Sequence, residues 1–465
     1  MASTGLVVID ITIVAIGMPQ IRTDIAAGGS VESVVVTYMV AMGALTQIVG
    51  SLSDRWGRRP LFLTGIAAFT IASLAATLAP TLLWLNIARV IQGAGAAAIM
   101  VNAIPLLSDR YSGEERNLAI GAWGTFATAA GLIAPTLGGL LIDGFGWRAI
   151  FAINLPLGLA AWVVAVRVLP RPQPHPKPNT RIVPSERPDW VGSANLAVGL
   201  GLVTTLLLGE DDWSGIDTGL LVVAAVTLAA FAVVQLRVPA PALDLRMFTR
   251  PAFSGAMLAV FLSRALTIGG AVYLVVYFAD GLEMSPTQAG LLMTPIFVAQ
   301  MITGMVGSKM LSYLAPGVVI ASGYALKAVG LGMLAMTITP TSSWWSLALP
   351  LLLWGAGGGI AGAPVMAVAV NVSPPERVGM VAGTLATLAS VGAGIGTAIL
   401  GAVFTFTGGT DRLGVTDGTR AVLTTSALLA MLAVLATLVL ISPRRLPAPP
   451  RPRPRPVEQD ARSKA

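Results

Sequence analysis

The chain has 465 residues, 55% of them hydrophobic and 11% charged, and a positive mean hydropathy; this excludes a water-soluble enzyme and implies a polytopic, all-α integral membrane protein. With no cysteine and one histidine, His175 in a Pro-rich stretch, disulfides, thiolate metal sites, haem attachment and a His metal cluster are excluded. The formal net charge of +7 is explained by membrane topology and requires no nucleic-acid partner.

About fourteen apolar spans of membrane-crossing length can be drawn: 5 to 21, 34 to 53, 60 to 79, 82 to 107, 117 to 142, 147 to 168, 191 to 209, 217 to 236, 253 to 279, 287 to 308, 316 to 337, 345 to 371, 379 to 406 and 419 to 441. The first is short at its start, with about nine residues before Asp10, so whether Met1 truncates the helix stays open. It lacks the basic n-region and small-x-small site of a cleaved signal peptide and is expected to remain as a span. Asp10 is the one acid away from the ends of these spans. A charge at the bilayer centre costs at least about 2.5 to 3.5 kcal/mol, so such an acid needs a partner, an aqueous cavity or a proton; the alternative places Asp10 near the interface of a short helix.

Between the second and third spans stands Gly50-Ser51-Leu52-Ser53-Asp54-Arg55-Trp56-Gly57-Arg58-Arg59, a block of charge between two apolar runs. Gly57 is expected to adopt φ > 0 in so tight a turn, and Arg55, Arg58 and Arg59 assign it to the cytoplasmic side. The fourth span carries Arg89-Val90-Ile91-Gln92-Gly93-Ala94-Gly95. Helical rise puts Arg89 roughly 12 Å below the outer surface and Asp10 roughly 15 Å, so the two can pair at one level. The fifth carries Gly131-Leu132-Ile133-Ala134-Pro135-Thr136-Leu137-Gly138-Gly139, whose proline removes a helix hydrogen bond and whose glycines permit close packing. Trp147-Arg148-Ala149-Ile150-Phe151-Ala152-Ile153-Asn154-Leu155-Pro156 follows.

Residues 1–168 form a first six-helix half, and 169–188, with alternating prolines, a solvated cytoplasmic linker. Residues 189–237 add two spans, 238–252 a cytoplasmic loop, 253–441 a second six-helix half, and 442–465 a Pro/Arg-rich tail expected to be disordered. About 22 of the 29 Lys and Arg then fall on one side, which places both termini in the cytoplasm. Three lie inside spans away from their ends: Arg89, Arg264 and Lys327.

The Gly50–Arg59 pattern resembles the loop between helices two and three of the major facilitator superfamily. Ile9-Asp10-Ile11-Thr12-Ile13-Val14-Ala15-Ile16-Gly17-Met18-Pro19, the helix 4 and helix 5 stretches, the Trp147–Pro156 run, Leu243-Asp244-Leu245-Arg246-Met247-Phe248 and Ser285-Pro286-Thr287-Gln288-Ala289-Gly290 resemble its fourteen-helix drug:proton antiporters. Two positions depart: Ala15 replaces the family's Asn and Ala134 the glycine before the proline. The resemblance implies a major facilitator fold in a 6+2+6 arrangement. It implies that Gly50, Asp54, Arg55, Gly57, Arg58 and Arg59 form a cytoplasmic latch, with Asp54 at the N-terminus of a helix from the other half. Asp10 and Arg89 are expected to be proton-coupling, with a purely structural ion pair as the alternative. Gly131, Pro135, Gly138 and Gly139 are expected to be the antiporter motif.

The function implied is proton-coupled export of small amphipathic compounds such as drugs, antibiotics or dyes across the cell membrane, by a functional monomer without cofactor. No Gly-x-x-x-x-Gly-Lys-Ser/Thr phosphate loop occurs, so an ion gradient is the expected driving force. The competing readings are a nutrient importer or uniporter and a non-transporting receptor or scaffold. Tyr38, Gln92, Met100, Trp123 and Arg264 are candidates for the substrate cavity. Lys327 is expected to pack or snorkel at the periphery. With one acid against Arg89 and Arg264, neutral or anionic amphiphiles are expected to be preferred over dications; the alternative has Arg264 bonding carbonyls of another helix.

Overall fold

The computed structural model describes residues 2–25, 30–111, 113–169, 190–207, 215–238, 243, 245–373, 378–408 and 411–442. Most of the Pro-rich linker and nearly all of the tail lie outside these residues, as do the side chains of Asp54 and Arg55. The described chain is helical: α1 (Ala2–Ile25), α2 (Ser33–Trp56), α3 (Arg58–Thr77), α4 (Leu82–Arg110), α5 (Gly113–Phe145), α6 (Ala149–Val168), α7 (Trp190–Leu207), α8 (Gly215–Arg237), α9 (Pro251–Gly281), α10 (Pro286–Met310), α11 (Pro316–Thr337), α12 (Trp344–Asn371), α13 (Val378–Thr407) and α14 (Arg412–Leu440). Among the described residues thirteen helices are long and apolar enough to cross a membrane. The expected seventh span is the exception, because the apolar stretch described in α7, Ala194–Val203, is shorter.

The first and last six helices meet along two seams, α2 on α13 and α5 on α10, and α7 lies against both α2 and α13. With water absent, apolar area supplies little drive between helices, so small residues and polar contacts decide where helices touch. The α5–α10 seam shows this. A Cβ on Gly139 would fall into the backbone of Pro286 and Thr287, and one on Gly290 into the carbonyl of Pro135. Gly138, by contrast, faces Ile13 of α1, so the Gly131–Gly139 stretch lets α5 fit between α1 and α10.

Local sequence explains the element ends. Gly57 takes φ 92° between α2 and α3, as the turn requires. Ser285 accepts from the Gln288 amide while the Gln288 side chain accepts from the Ser285 amide, a capping box with Pro286 in the first turn of α10. In α9 the ladder widens to π turns at Ala265–Gly269 and Tyr277–Gly281; such turns often mark functional positions.

The two ends of the bundle differ. At the end opposite the α2–α3 turn, Arg22 pairs with Asp280 at 3.1 Å, and the Thr287 amide donates to Asp143 Oδ2 at 2.9 Å. Both contacts join the halves. At the α2–α3 end, Arg58 pairs with Asp109 at 2.6 Å, Arg59 donates to the Val166 carbonyl and Arg250 to the Val372 carbonyl, each within its own half. Gly124 of α5 and Gly304 of α10 meet nothing within 4 Å.

Candidate functional site: a buried acid held by three donors

Asp10 lies mid-helix in α1 with no exposed surface, the one fully buried acid among the described residues. Three side chains donate to its carboxylate. Arg89 Nη1 reaches Oδ2 at 2.5 Å, Gln92 Nε2 reaches Oδ1 at 3.0 Å, and Asn154 Nδ2 reaches Oδ1 at 3.1 Å. α1 is thereby tied to α4 and α6 through one ionisable group.

Arg89, 1% exposed, has the geometry that only a guanidinium provides. Its Nε donates to the Val34 carbonyl at 3.0 Å, its Nη1 also reaches Gln92 Oε1 at 2.6 Å, and its plane lies 4.0 Å from the Tyr38 ring centroid, with Phe151 at 5.7 Å. Gln92 Nε2 extends the network to Ser73 Oγ at 2.8 Å on α3. Two buried atoms beside it have no hydrogen-bond partner among the described residues, Tyr38 Oη and Asn154 Oδ1.

The sequence-derived pairing of Asp10 with Arg89 is present at the level that helical rise indicated. Tyr38 and Gln92, expected to line a substrate cavity, are instead sealed within this network and contact Arg89. Met100 is half-buried against the core, and Trp123 Nε1 donates to Thr4 Oγ1 at 2.8 Å, linking α5 to α1. Arg264 is exposed and makes no ion pair or hydrogen bond among the described residues, so the carbonyl-bonding alternative does not hold there. Lys327 does not snorkel: it is 1% exposed and its Nζ points at α9.

Asn154 and Ser73 were not singled out as site residues. Asn154 does stand in the quoted Trp147–Pro156 run, and a lone amide in an apolar helix is the signal that could have found it. The same run anchors α6: Trp147 Nε1 and Arg148 Nη1 both donate to Asp24, at 2.9 and 2.6 Å. In the Gly50–Arg59 turn, the described side chains of Arg58 and Arg59 hold neighbouring helices of their own half, and the Asp54 and Arg55 side chains fall outside the described residues.

Comparison with known proteins gives a consistent result. The profile of the Major Facilitator Superfamily matches residues 1–396 and 253–465. The drug efflux pump JefA of Mycobacterium tuberculosis is 28% identical over 411 residues, covering 86% of this chain and 79% of its own. The multidrug resistance protein Stp of the same organism is 30% identical over 411 residues, covering 86% and 74%. The tetracenomycin C resistance and export protein of Streptomyces glaucescens is 30% identical over 403 residues, covering 85% and 73%.

Proposed function

Because the chain belongs to the Major Facilitator Superfamily and is a multi-pass membrane transporter rather than an enzyme, we propose that it exports small amphipathic compounds in exchange for protons. It would act in the cytoplasmic membrane with both termini in the cytoplasm. Relatives named for drug efflux, multidrug resistance and tetracenomycin C export support the cargo class.

The observation that carries the coupling is Asp10 itself, buried, ionisable and bound by donors from two other helices. An ionised Asp10 holds α1 to α4 and α6. A proton on Oδ1 or Oδ2 cancels the charge that Arg89 faces, and the bonds from the Gln92 and Asn154 amides become neutral ones of about half the strength. The three helices can then shift against one another, and the proton leaves when the site faces the other side. Unpaired Tyr38 Oη and Asn154 Oδ1 are polar stations beside that carboxylate.

The test is efflux of neutral dansylamide and a panel of dyes and antibiotics from proteoliposomes with an imposed pH gradient. Asp10→Asn, which keeps size but cannot release a proton, is expected to abolish gradient-driven efflux while the protein still inserts. Full activity in that variant would remove Asp10 from the coupling step.

A further inference from the structure

The second half of the molecule carries two cations midway along its helices and no acid away from the ends of the helices that surround them. Lys327 lies at the middle of α11, 1% exposed. Its Nζ donates to Thr267 Oγ1 at 2.9 Å and contacts Ser263 Oγ at 3.5 Å, both on α9, and it sits 6.0 Å from the centroid of the Tyr324 ring. Tyr324 is itself fixed by a hydrogen bond from its hydroxyl to the Ala259 carbonyl. Arg264 follows Ser263 directly in α9, is exposed, and its side chain has no hydrogen bond or ion pair among the described residues.

Two features of the surrounding helices shape this place. Directly after Arg264 the α9 ladder opens into the π turn Ala265–Gly269, which holds Thr267. Across from it, a Cβ added to Gly358 of α12 would stand 3.8 Å from Lys327 Cε and 3.8 Å from Gln300 Cδ. The glycine therefore leaves the Lys327 and Gln300 ends facing one shared space. The side chain of Gln300, half-buried on α10, has no hydrogen bond among the described residues.

The described acids of this half are all engaged elsewhere, at the far ends of the helices. Asp280 pairs with Arg22, Glu283 with Arg412 and Asp417 with Arg420, while Asp411 caps α14 through the Gly414 amide. An uncompensated charge inside a membrane protein costs several kcal/mol, and two of like sign repel each other as well. Hydroxyls solvate Lys327 without neutralising it. An anion between Lys327 and Arg264 would relieve both terms, and the planar guanidinium with the amide of Gln300 matches an oxyanion.

We propose that Lys327 and Arg264, flanked by Ser263, Thr267 and Gln300, form a binding site for the carboxylate or sulfonate group of an amphipathic substrate, a substrate class that rests on the export reading above. The probes are three dansyl compounds that share a fluorophore: dansylglycine (anionic), dansylamide (neutral) and dansylcadaverine (cationic), titrated onto the purified full chain. Dansylglycine is expected to bind tightest, by roughly tenfold over dansylcadaverine. Arg264→Gln and Lys327→Gln are each expected to collapse the dansylglycine-to-dansylamide affinity ratio toward one, and Arg264→Lys to keep most of it. Because Arg264 is exposed, its replacement remains informative even where Lys327→Gln fails to fold. Tightest binding of dansylcadaverine, no binding of dansylglycine, or an unchanged ratio in Arg264→Gln would overturn the site. Displacement of dansylglycine by equal concentrations of sodium acetate would overturn its assignment to substrate in favour of a free ion. Gradient-driven dansylamide efflux is scored separately on the wild type, so its absence counts against export and leaves the charge order of binding standing.

Discussion

At Asp10 the decisive quantity is the cost of an unpartnered charge. The Asp10–Arg89 pair, 0% and 1% exposed, has been stripped of water, so removing one member leaves the other buried and uncompensated, at roughly 3–5 kcal/mol. Removing both leaves no charge to compensate. Arg89→Met alone is therefore expected to lower the thermal unfolding midpoint in detergent strongly, and Asp10→Leu combined with Arg89→Met to recover part of the loss. A double variant less stable than Arg89→Met would show that the pair is not coupled. Asn154 offers a milder case, since its Nδ2 is a neutral donor to the same carboxylate. Its loss in Asn154→Leu removes one hydrogen bond to a charged group, worth about 1.5–3 kcal/mol. Efflux is expected to fall at least about tenfold while insertion is kept, because that bond is the Asp10 contact to α6. Unchanged efflux in proteoliposomes would assign Asn154 to packing alone.

Among the elements, α10 shows how a helix start becomes a joint between halves. Its capping box satisfies its own first amides, and Asp143 from α5 accepts from the Thr287 amide, an anion at the positive end of a helix dipole. The resemblance placed such a device at Asp54; the described structure shows one at the opposite end. Asp143→Asn is expected to weaken closure there by about 0.3–1 kcal/mol, a two- to fivefold shift in the closed-to-open ratio. The chain has no cysteine, so spin labels at Phe145→Cys and Leu413→Cys, both exposed positions, report the distance without background. An unaltered distance distribution would mean that Asp143 only caps α10. Arg58–Asp109, with side chains 38% and 56% exposed, belongs to a weaker class, worth about 0–1 kcal/mol.

For the molecule as a whole, the proposed export by alternating access would keep the α2–α13 and α5–α10 seams while the contacts at either end exchange. Latch residues then change rates between states and not the affinity of a state for cargo. Asp54→Asn is accordingly expected to slow turnover with little change in substrate binding, both measured on one preparation. A large loss of affinity at an unchanged maximal rate would contradict a latch.

Several of these features were legible because they depend on position along the chain. The lengths of thirteen of the spans, the φ of Gly57 and the common depth of Asp10 and Arg89 follow from hydropathy, turn chemistry and a fixed rise per residue. What a linear pattern lacks is the angle of a side chain about its helix axis. A soluble helix reveals that angle by its polar stripe, but a membrane helix is apolar on nearly every side, so the pattern has no phase. Hence Lys327, expected to pack or snorkel at the periphery, packs inward onto Ser263 and Thr267, and Tyr38 and Gln92 are buried against Arg89. Asn154, Ser73 and Asp143 found their partners only when α6, α3 and α10 were packed, because contacts between helices distant in sequence are set by which faces the small residues allow to approach.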